Sequence, residues 1–380
     1  MSESDSWYVG REQTLVKHHL LKDYLAALAN IVGQKYPSVT YVDCFSGPWK
    51  AASQRYEDTS FGIAIEELKK ARDQLRAQFN RDVSMRCFFI EKNERAYLEL
   101  NEFLQSAREP GVELEAKNGR FEDLVPEIVD FVSQSAGTFP FFFIDPKGWR
   151  AISIEVIKSL LMVRPGEVLI NLMTSHLHRF VKTQNQSELF GSAEYIGRLR
   201  GLSGQDLDDE MVAIYSEQLR TVGRYEYVCA AVILRSSIDV PHYRLIYGTR
   251  NQLGLTKFKE AEARAMKLME PARAQAKLRR SEERTGQSEM FGGKETLGSK
   301  FYVHLRDRYL TLSRSKVFEL LSTGKPVLYD TLWKAALANP LVFESDLRAW
   351  LRSEPKITFL NLGSDRAPKV GRNHTVCWSE

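Results

Sequence analysis

An α/β fold, in which helices cover both faces of a parallel sheet and a smaller module follows, is what this 380-residue sequence predicts. Three observations carry the prediction. Five near-continuous apolar runs alternate with helical patterns between residues 38 and 173, as strands buried on both faces do. Two further strand-like runs, 225–236 and 243–250, are joined by a short turn containing Pro241. That connection is too short for a parallel crossover, so the pair forms an antiparallel hairpin at one sheet edge. From about residue 298 the pattern changes to short helices and then two strand-like runs around a basic loop.

Taken in order, residues 12–32 place Leu15, Leu21, Leu25, Leu28 and Val32 at helical spacing, an amphipathic helix whose packing surface includes His18 and His19. The five strands are SVTYVD (38–43), RCFFIE (86–91), VELEAKN (112–118), FPFFFID (139–145) and EVLINLM (167–173), with SFGIAIEELKKARDQLRAQF and SIEVIKSLLMVR as helices between them. After the hairpin, residues 254–285 read as a long basic helix that Pro271 kinks. The polar stretch GQSEMFGGKETLG is the linker. KFYVHLRDRYLTL, YDTLWKAALAN and ESDLRAWLRS are short helices, and KITFLNLGSDRAPKVGRNHTVCW is a hairpin whose loop holds Arg366, Lys369 and Arg372. Three helices and a basic hairpin describe a winged helix, a helix-turn-helix variant that lays one helix in a DNA groove and touches the backbone with its hairpin. A winged helix that docks protein shares the same pattern. The predicted division is a Rossmann domain over 1–285, a linker over 286–297 and a winged helix-turn-helix domain over 298–380.

A composition of 43% hydrophobic residues suffices for one sizeable core and an appended module. The sequence has no uncharged apolar run of about 18 residues, and its start lacks the basic end and apolar centre of a signal peptide. A cytoplasmic protein without a membrane partner is expected. Cys44, Cys87, Cys229 and Cys377 lie far apart with no CxxC pair, which suggests neither a disulfide framework nor a zinc or iron–sulfur site. From residue 254 onward 23 Lys and Arg face 15 Asp and Glu, a net +8, whereas the whole chain carries +4. The front is therefore acidic and the rear basic, which points to a polyanionic partner for the rear or to a solvated basic face.

Ligands of open α/β sheets bind beyond the carboxyl ends of the strands. Asp43 ends the first strand and is followed by Phe45 and Gly47, a glycine that lets backbone approach a ligand. Glu91 ends the second, where an acid accepts hydrogen bonds from ribose hydroxyls. Asn118, Glu122 and Asp123 follow the third at the height of a nucleotide base. Asp145 ends the fourth, followed by Pro146, Lys147 and Trp149. Helix capping and turn initiation explain any one such acid. Four on successive strands, with a terminal hairpin and no G-x-G-x-x-G, fit a Rossmann-like class I methyltransferase using S-adenosylmethionine (SAM) better than a nicotinamide dehydrogenase. After the fifth strand His176, His178 and Arg179 reach the same edge; with no third ligand beside the two histidines, substrate contact or packing is expected rather than metal.

The stretches KHHLLKDYL (17–25), YVDCFSGPW (41–49), FFIEKN (88–93), FFFIDPKGW (141–149), VLINLMTSHLHRF (168–180), ELFGSAEY (188–195) and YRLIYGTRNQLGLTKFKEA (243–261) resemble the three-Cys-motif partner proteins. The resemblance spans roughly residues 12–285, and the ending is similar to the GMT-like winged-helix module often fused to that family. It implies a methyltransferase-like Rossmann fold and a neighbouring radical-SAM three-Cys-motif protein as partner. Two positions depart from the family pattern: Trp49 replaces a glycine, and Lys147 replaces an apolar residue. Asp145-Pro146-Lys147-Gly148-Trp149 is a relative of the Asp/Asn-Pro-Pro-aromatic motif, in which the acid or amide holds an exocyclic amine and the aromatic stacks on a flipped base.

The expected cofactor is SAM, held by Asp43, Phe45, Gly47, Glu91, Asn118, Glu122, Asp123 and Asp145. Asp43 would hold the methionine amino group, and Asp145, Pro146, Lys147 and Trp149 the acceptor. The expected partner is DNA or RNA, met by His178, Arg179, Arg348, Arg352, Arg366, Lys369 and Arg372. Two rival readings stand beside this one: a cofactor-sensing or inert scaffold serving a radical-SAM enzyme, and an enzyme that modifies protein or small molecules.

Overall fold

The computed structural model describes residues 6–47, 51–53, 55–148, 150–174, 190, 192–285 and 299–379. Leucines and Tyr24 turn the packing side of helix α1 (Glu12–Gly33) onto the sheet. Next come β1 (Ser38–Asp43), α2 (Ser60–Phe79), β2 (Ser84–Glu91), α3 (Glu94–Ala107), β3 (Val112–Asn118), α4 (Phe121–Ser133), β4 (Thr138–Ile144), α5 (Ile154–Met162) and β5 (Glu167–Leu172). Helix α6 (Gly204–Val222) leads to β6 (Tyr227–Leu234) and β7 (Pro241–Thr249), and α7 (Gln252–Thr285) closes the front.

The seven strands run in the order β3-β2-β1-β4-β5-β7-β6. All are parallel except β7, which inserts antiparallel between β5 and β6. The expected hairpin is present, but Pro241 is the first residue of β7 rather than part of the turn. A strand start spares proline the ladder N–H it lacks. Helix α7 runs unbroken across Pro271 as a single 34-residue element. Strand β4 stops one residue earlier than expected, leaving Asp145 just beyond it, where the residue before a proline is pushed out of regular pairing.

Alternation along the strands divides the core. Val39, Tyr41, Phe139, Phe141 and Phe143 face α1, α2 and α7, whereas Val42, Phe142, Ile144 and Ile170 face α4, α5 and α6. With both faces covered, neither set of side chains reaches water, which is why the strands read as continuous apolar runs. At the amino edge of the sheet, buried Glu167 accepts from Thr249 Oγ1 at 2.6 Å and from the Tyr24 hydroxyl, tying β5 to β7 and α1.

The rear comprises α8 (Ser299–Leu321), β8 (Val327–Leu328), α9 (Tyr329–Leu337), α10 (Glu344–Ser353), β9 (Ile357–Leu360) and β10 (Thr375–Trp378). Its three strands form an antiparallel sheet in the order β8-β10-β9. The expected linker, 286–297, lies outside the described residues. The rear shares the core of the front: Leu305, Tyr309, Val317 and Trp333 belong to the same apolar cluster as Tyr227, Cys229 and Phe258. The Ala230 N–H on β6 donates to the Ala338 carbonyl at 3.0 Å. Buried Lys259 on α7 donates to the Asn339 carbonyl at 2.9 Å, and Glu262 accepts from the Leu341 N–H at 2.9 Å.

Candidate functional site

The chain leaves β1 for β2 on one side and returns to β4 on the other, so the reversal of strand order falls between β1 and β4, where open α/β sheets form their crevice. Asp43 ends β1 at that point and Asp145 follows β4.

Beyond β1 the chain folds back over the strand ends. The Cys44 N–H donates to the Phe143 carbonyl at 3.0 Å and the Ser46 N–H to the Ile90 carbonyl at 2.8 Å, so the loop is tied to β4 and β2. The Asp43 side chain is 0% exposed and accepts from the Phe45 N–H at 3.1 Å and the Tyr41 hydroxyl at 3.2 Å. Burial pushes its carboxyl up to about 6, against hydrogen bonds from Ser60 and Phe45 that favour the charge. Asp43 thus shapes the loop from within. Phe45 is half-buried, its ring 5.2 Å from that of Phe121, and Gly47 follows it, whereas Trp49 lies outside the described residues. Farther on, buried Asp58 gathers the Ala52 N–H at 2.8 Å, the Ser53 N–H at 3.2 Å and the Arg11 guanidinium. Thr59 then caps α2 by accepting from the Gly62 N–H at 3.1 Å.

Glu91 is 4% exposed and accepts from the Asn93 N–H at 2.6 Å. Its register partner across β2–β3 is Asn118, whose amide donates to the Glu91 carbonyl at 2.8 Å. Glu122 and Asp123 follow β3 in the first turn of α4. There they suit the helix dipole and lie 3.7 and 3.9 Å from Arg120.

The residue that sequence reasoning passed over is Lys17. From α1 it reaches Asp145, 128 positions away, and its ammonium donates to one carboxylate oxygen. Asn171, on β5, donates to the other oxygen at 2.7 Å. Lys17 is 6% exposed, and its ammonium lies 4.6 Å from the centre of the Tyr243 ring at the start of β7. Burial opposes its charge, yet Asp145, Tyr243 and Asp43 together hold its pKa above the ordinary value. For its neighbour His18, burial, then Lys17 and Arg11, push the imidazole well below the ordinary value, and it pairs with the Tyr8 hydroxyl at 2.9 Å. In the sequence Lys17 shows as a cation on the apolar side of an amphipathic helix, at the start of the stretch KHHLLKDYL.

Pro146 is buried and Lys147 exposed, whereas Trp149, His176, His178 and Arg179 lie outside the described residues. No group of three metal-ligating side chains occurs among the described residues. A cavity of about 230 Å³ lies to one side, between α1 and α2, lined by Tyr8, His18, His19, Glu57, Gly62 and Glu67. On the rear, Arg348 pairs with Glu344 at 2.6 Å and Lys369 with Asp365 at 2.5 Å, while Arg352, Arg366 and Arg372 are exposed. The loop carrying Arg366 and Arg372 is held back by the Gly371 N–H, which donates to Asp330 at 3.0 Å.

Parallel strands, a switch point between β1 and β4 and a reversed β7 inside the last pair decide the fold class. The sheet is Rossmann-like, of the class I methyltransferase kind. Among solved structures, the chain is similar to a candidate O-methyltransferase from Klebsiella pneumoniae at 11% identity, over 60% of this chain and 80% of that one, with a TM-score of 0.30. It is also similar to cofactor-bound Rv0187 from MTB at 11% identity, over 61% and 80%, with a TM-score of 0.29. The strand order, not these overlaps, carries the fold assignment. No family model matches the sequence, and no curated protein does. No helix among the described residues is long and apolar enough to cross a membrane.

Proposed function

We propose that this chain binds SAM at the carboxyl ends of β1–β3 and methylates nucleic acid. The observation that carries the reading is the pairing of Glu91 with Asn118 at adjoining strand ends, beside the Phe45–Gly47 loop and next to the switch point. The donor set fits an adenosyl group. A carboxylate accepts from vicinal ribose hydroxyls, and a side-chain amide offers both a donor and an acceptor to a base edge. Phe45 supplies an apolar ring, and Gly47 admits close backbone approach. When bound, SAM supplies a methyl group activated by its sulfonium. The chain's part is to align an acceptor with that group and exclude water.

Support for a nucleic-acid target comes from the rear. Together with α7 it belongs to a stretch, from residue 254 onward, of net +8, and its exposed Arg352, Arg366 and Arg372 and its helix–strand–helix–helix–strand–strand order suit a winged helix that meets a polyanion. The resemblance to three-Cys-motif partner proteins supports the methyltransferase-like part of the reading. One observation favours a second: both Asp145 oxygens are taken by Lys17 and Asn171, as suits a cofactor-binding, non-catalytic partner of a radical-SAM three-Cys-motif protein.

Calorimetry with SAM, followed by methyl-labelled SAM with separate DNA, RNA and protein pools, tests these readings. Binding with label entering nucleic acid is the expected result. Binding without turnover supports the second reading, and label in protein alone overturns the target. Glu91→Ala is expected to weaken SAM binding by about 1.5–3 kcal/mol through hydrogen bonds lost to a polar ligand. Glu91→Gln, which keeps the bond from Asn93, controls for loss of the fold.

A further inference from the structure

Asp145 was expected to hold an exocyclic amine, but its surroundings suit another acceptor. Such an amine, conjugated with its ring, presents two donors and no useful acceptor. Here the carboxylate is flanked by two donors, the Lys17 ammonium on one oxygen and the Asn171 amide at 2.7 Å on the other. A cation beside the acceptor oxygen opposes any group that brings only N–H. A hydroxyl is different, because it accepts through its oxygen and donates through its proton, so it matches an ammonium and a carboxylate lying side by side. The only internal hydroxyl along a nucleic-acid chain is the 2′-hydroxyl of RNA.

We propose that the acceptor at this site is a ribose 2′-hydroxyl of RNA, with Lys17 donating to its oxygen and Asp145 receiving its proton. The inference rests on the SAM-dependent reading above. As the hydroxyl oxygen bonds to the methyl carbon, the carbon–sulfur bond breaks and leaves a neutral thioether. The hydroxyl proton passes to the Asp145 carboxylate and on to water. Negative charge developing on the oxygen meets a fixed ammonium in a site that is 94% closed to water at Lys17, where such an interaction is stronger than in bulk solvent. Lys17 keeps its proton because Asp145, Asp43 and Tyr243 face it from three different elements, so it acts as an electrostatic group and not as the base. Tyr243, half-buried at the same edge, offers a ring beside the ribose.

Two measurements test this on the full-length chain. In the first, methyl-labelled SAM is supplied with total RNA or genomic DNA, and the RNA product is hydrolysed in alkali. A 2′-O-methyl group blocks cleavage, so label in alkali-stable dinucleotides is expected; label in DNA, in mononucleotides or in neither nucleic acid overturns the proposal. The second measurement needs no SAM. Random-sequence single-stranded RNA is compared with the same pool carrying 2′-O-methyl riboses. The wild type is expected to prefer the unmodified pool by about fivefold, the worth of one hydrogen bond. The double variant Lys17→Met, Asp145→Asn, which removes both members of the pair, is expected to lose that preference while keeping the far-ultraviolet circular dichroism of the wild type. An unchanged preference overturns the role of Lys17. A wild-type chain that does not bind SAM in calorimetry overturns instead the reading on which the proposal rests.

Discussion

At neutral pH Asp43 carries its charge where no water can reach it, 0% exposed and pushed up to about 6 from an ordinary 3.8. A carboxyl whose folded pKa is raised stabilises the fold fully below its unfolded value, and that contribution disappears as the pH rises through the folded one. Between about pH 4 and 6 the chain therefore loses stability on this account, on the order of 2–3 kcal/mol. Asp43→Asn, which can still accept from the Phe45 N–H, is expected to raise the urea midpoint at pH 7.5 and to bring no gain below pH 4. A lower midpoint at pH 7.5 would show that the ionised form is preferred in the fold. His18 works in the opposite direction: its depressed imidazole contributes stability above its ordinary value of 6.5 and loses it as the pH falls below that.

Helix α2 and the loop before it depend on a close approach at Gly62. A Cβ there would stand 2.1 Å from the Tyr56 carbonyl oxygen, so the loop that ends in the Thr59 cap has to shift. Gly62→Ala is expected to cost about 1–3 kcal/mol in a denaturant titration, and to weaken SAM binding because the same loop leads back to Gly47 and Phe45. Unchanged affinity in the destabilised variant would separate that loop from the site. The elements themselves were readable in the sequence: β1 matches its predicted bounds because burial on both faces leaves no charge inside the run before Asp43, and β3 matches its own although it lies at the sheet edge and carries Glu113, Glu115 and Lys117. The site was readable only in part. Asp43, Glu91 and Asp145 were marked by their place at strand ends, whereas Lys17 sits inside a helical pattern and acquires its meaning from a contact 128 residues away. Glu122 and Asp123 were marked by their place after β3, but their position in the first helical turn was not, because a four-residue spacing after a strand suits a loop or a first helical turn equally well.

At the scale of the whole molecule, side chains of the rear pack into the core of the front. Arg244 on β7 is 1% exposed, donates to the Tyr309 hydroxyl on α8 and lies 3.4 Å from Asp209, and Trp333 sits 6.0 Å from the Tyr227 ring. Ending the chain at residue 285 removes Tyr309 and Trp333 together. Arg244 keeps Asp208 and Asp209 on α6 but loses the Tyr309 hydroxyl, and the apolar surface around Tyr227 and Cys229 loses its cover, so the truncated chain is expected to be insoluble or to melt well below the full chain. The full chain is expected to unfold in a single calorimetric transition; two separated transitions would show that the rear folds independently. Neutralising Arg366 and Arg372 together is expected to flatten the salt dependence of duplex binding by about 0.9 log unit for each lost phosphate contact, with sequence preference unchanged. The bond from Ala230 to the Ala338 carbonyl also bears on how the chain is made. During synthesis β6 emerges roughly a hundred residues before the segment that covers its outer edge, a gap of about 5–20 seconds at common elongation rates. For that interval the ribosome presents an open strand edge, so the nascent chain's need for a holding chaperone is set by codon speed between residues 234 and 338.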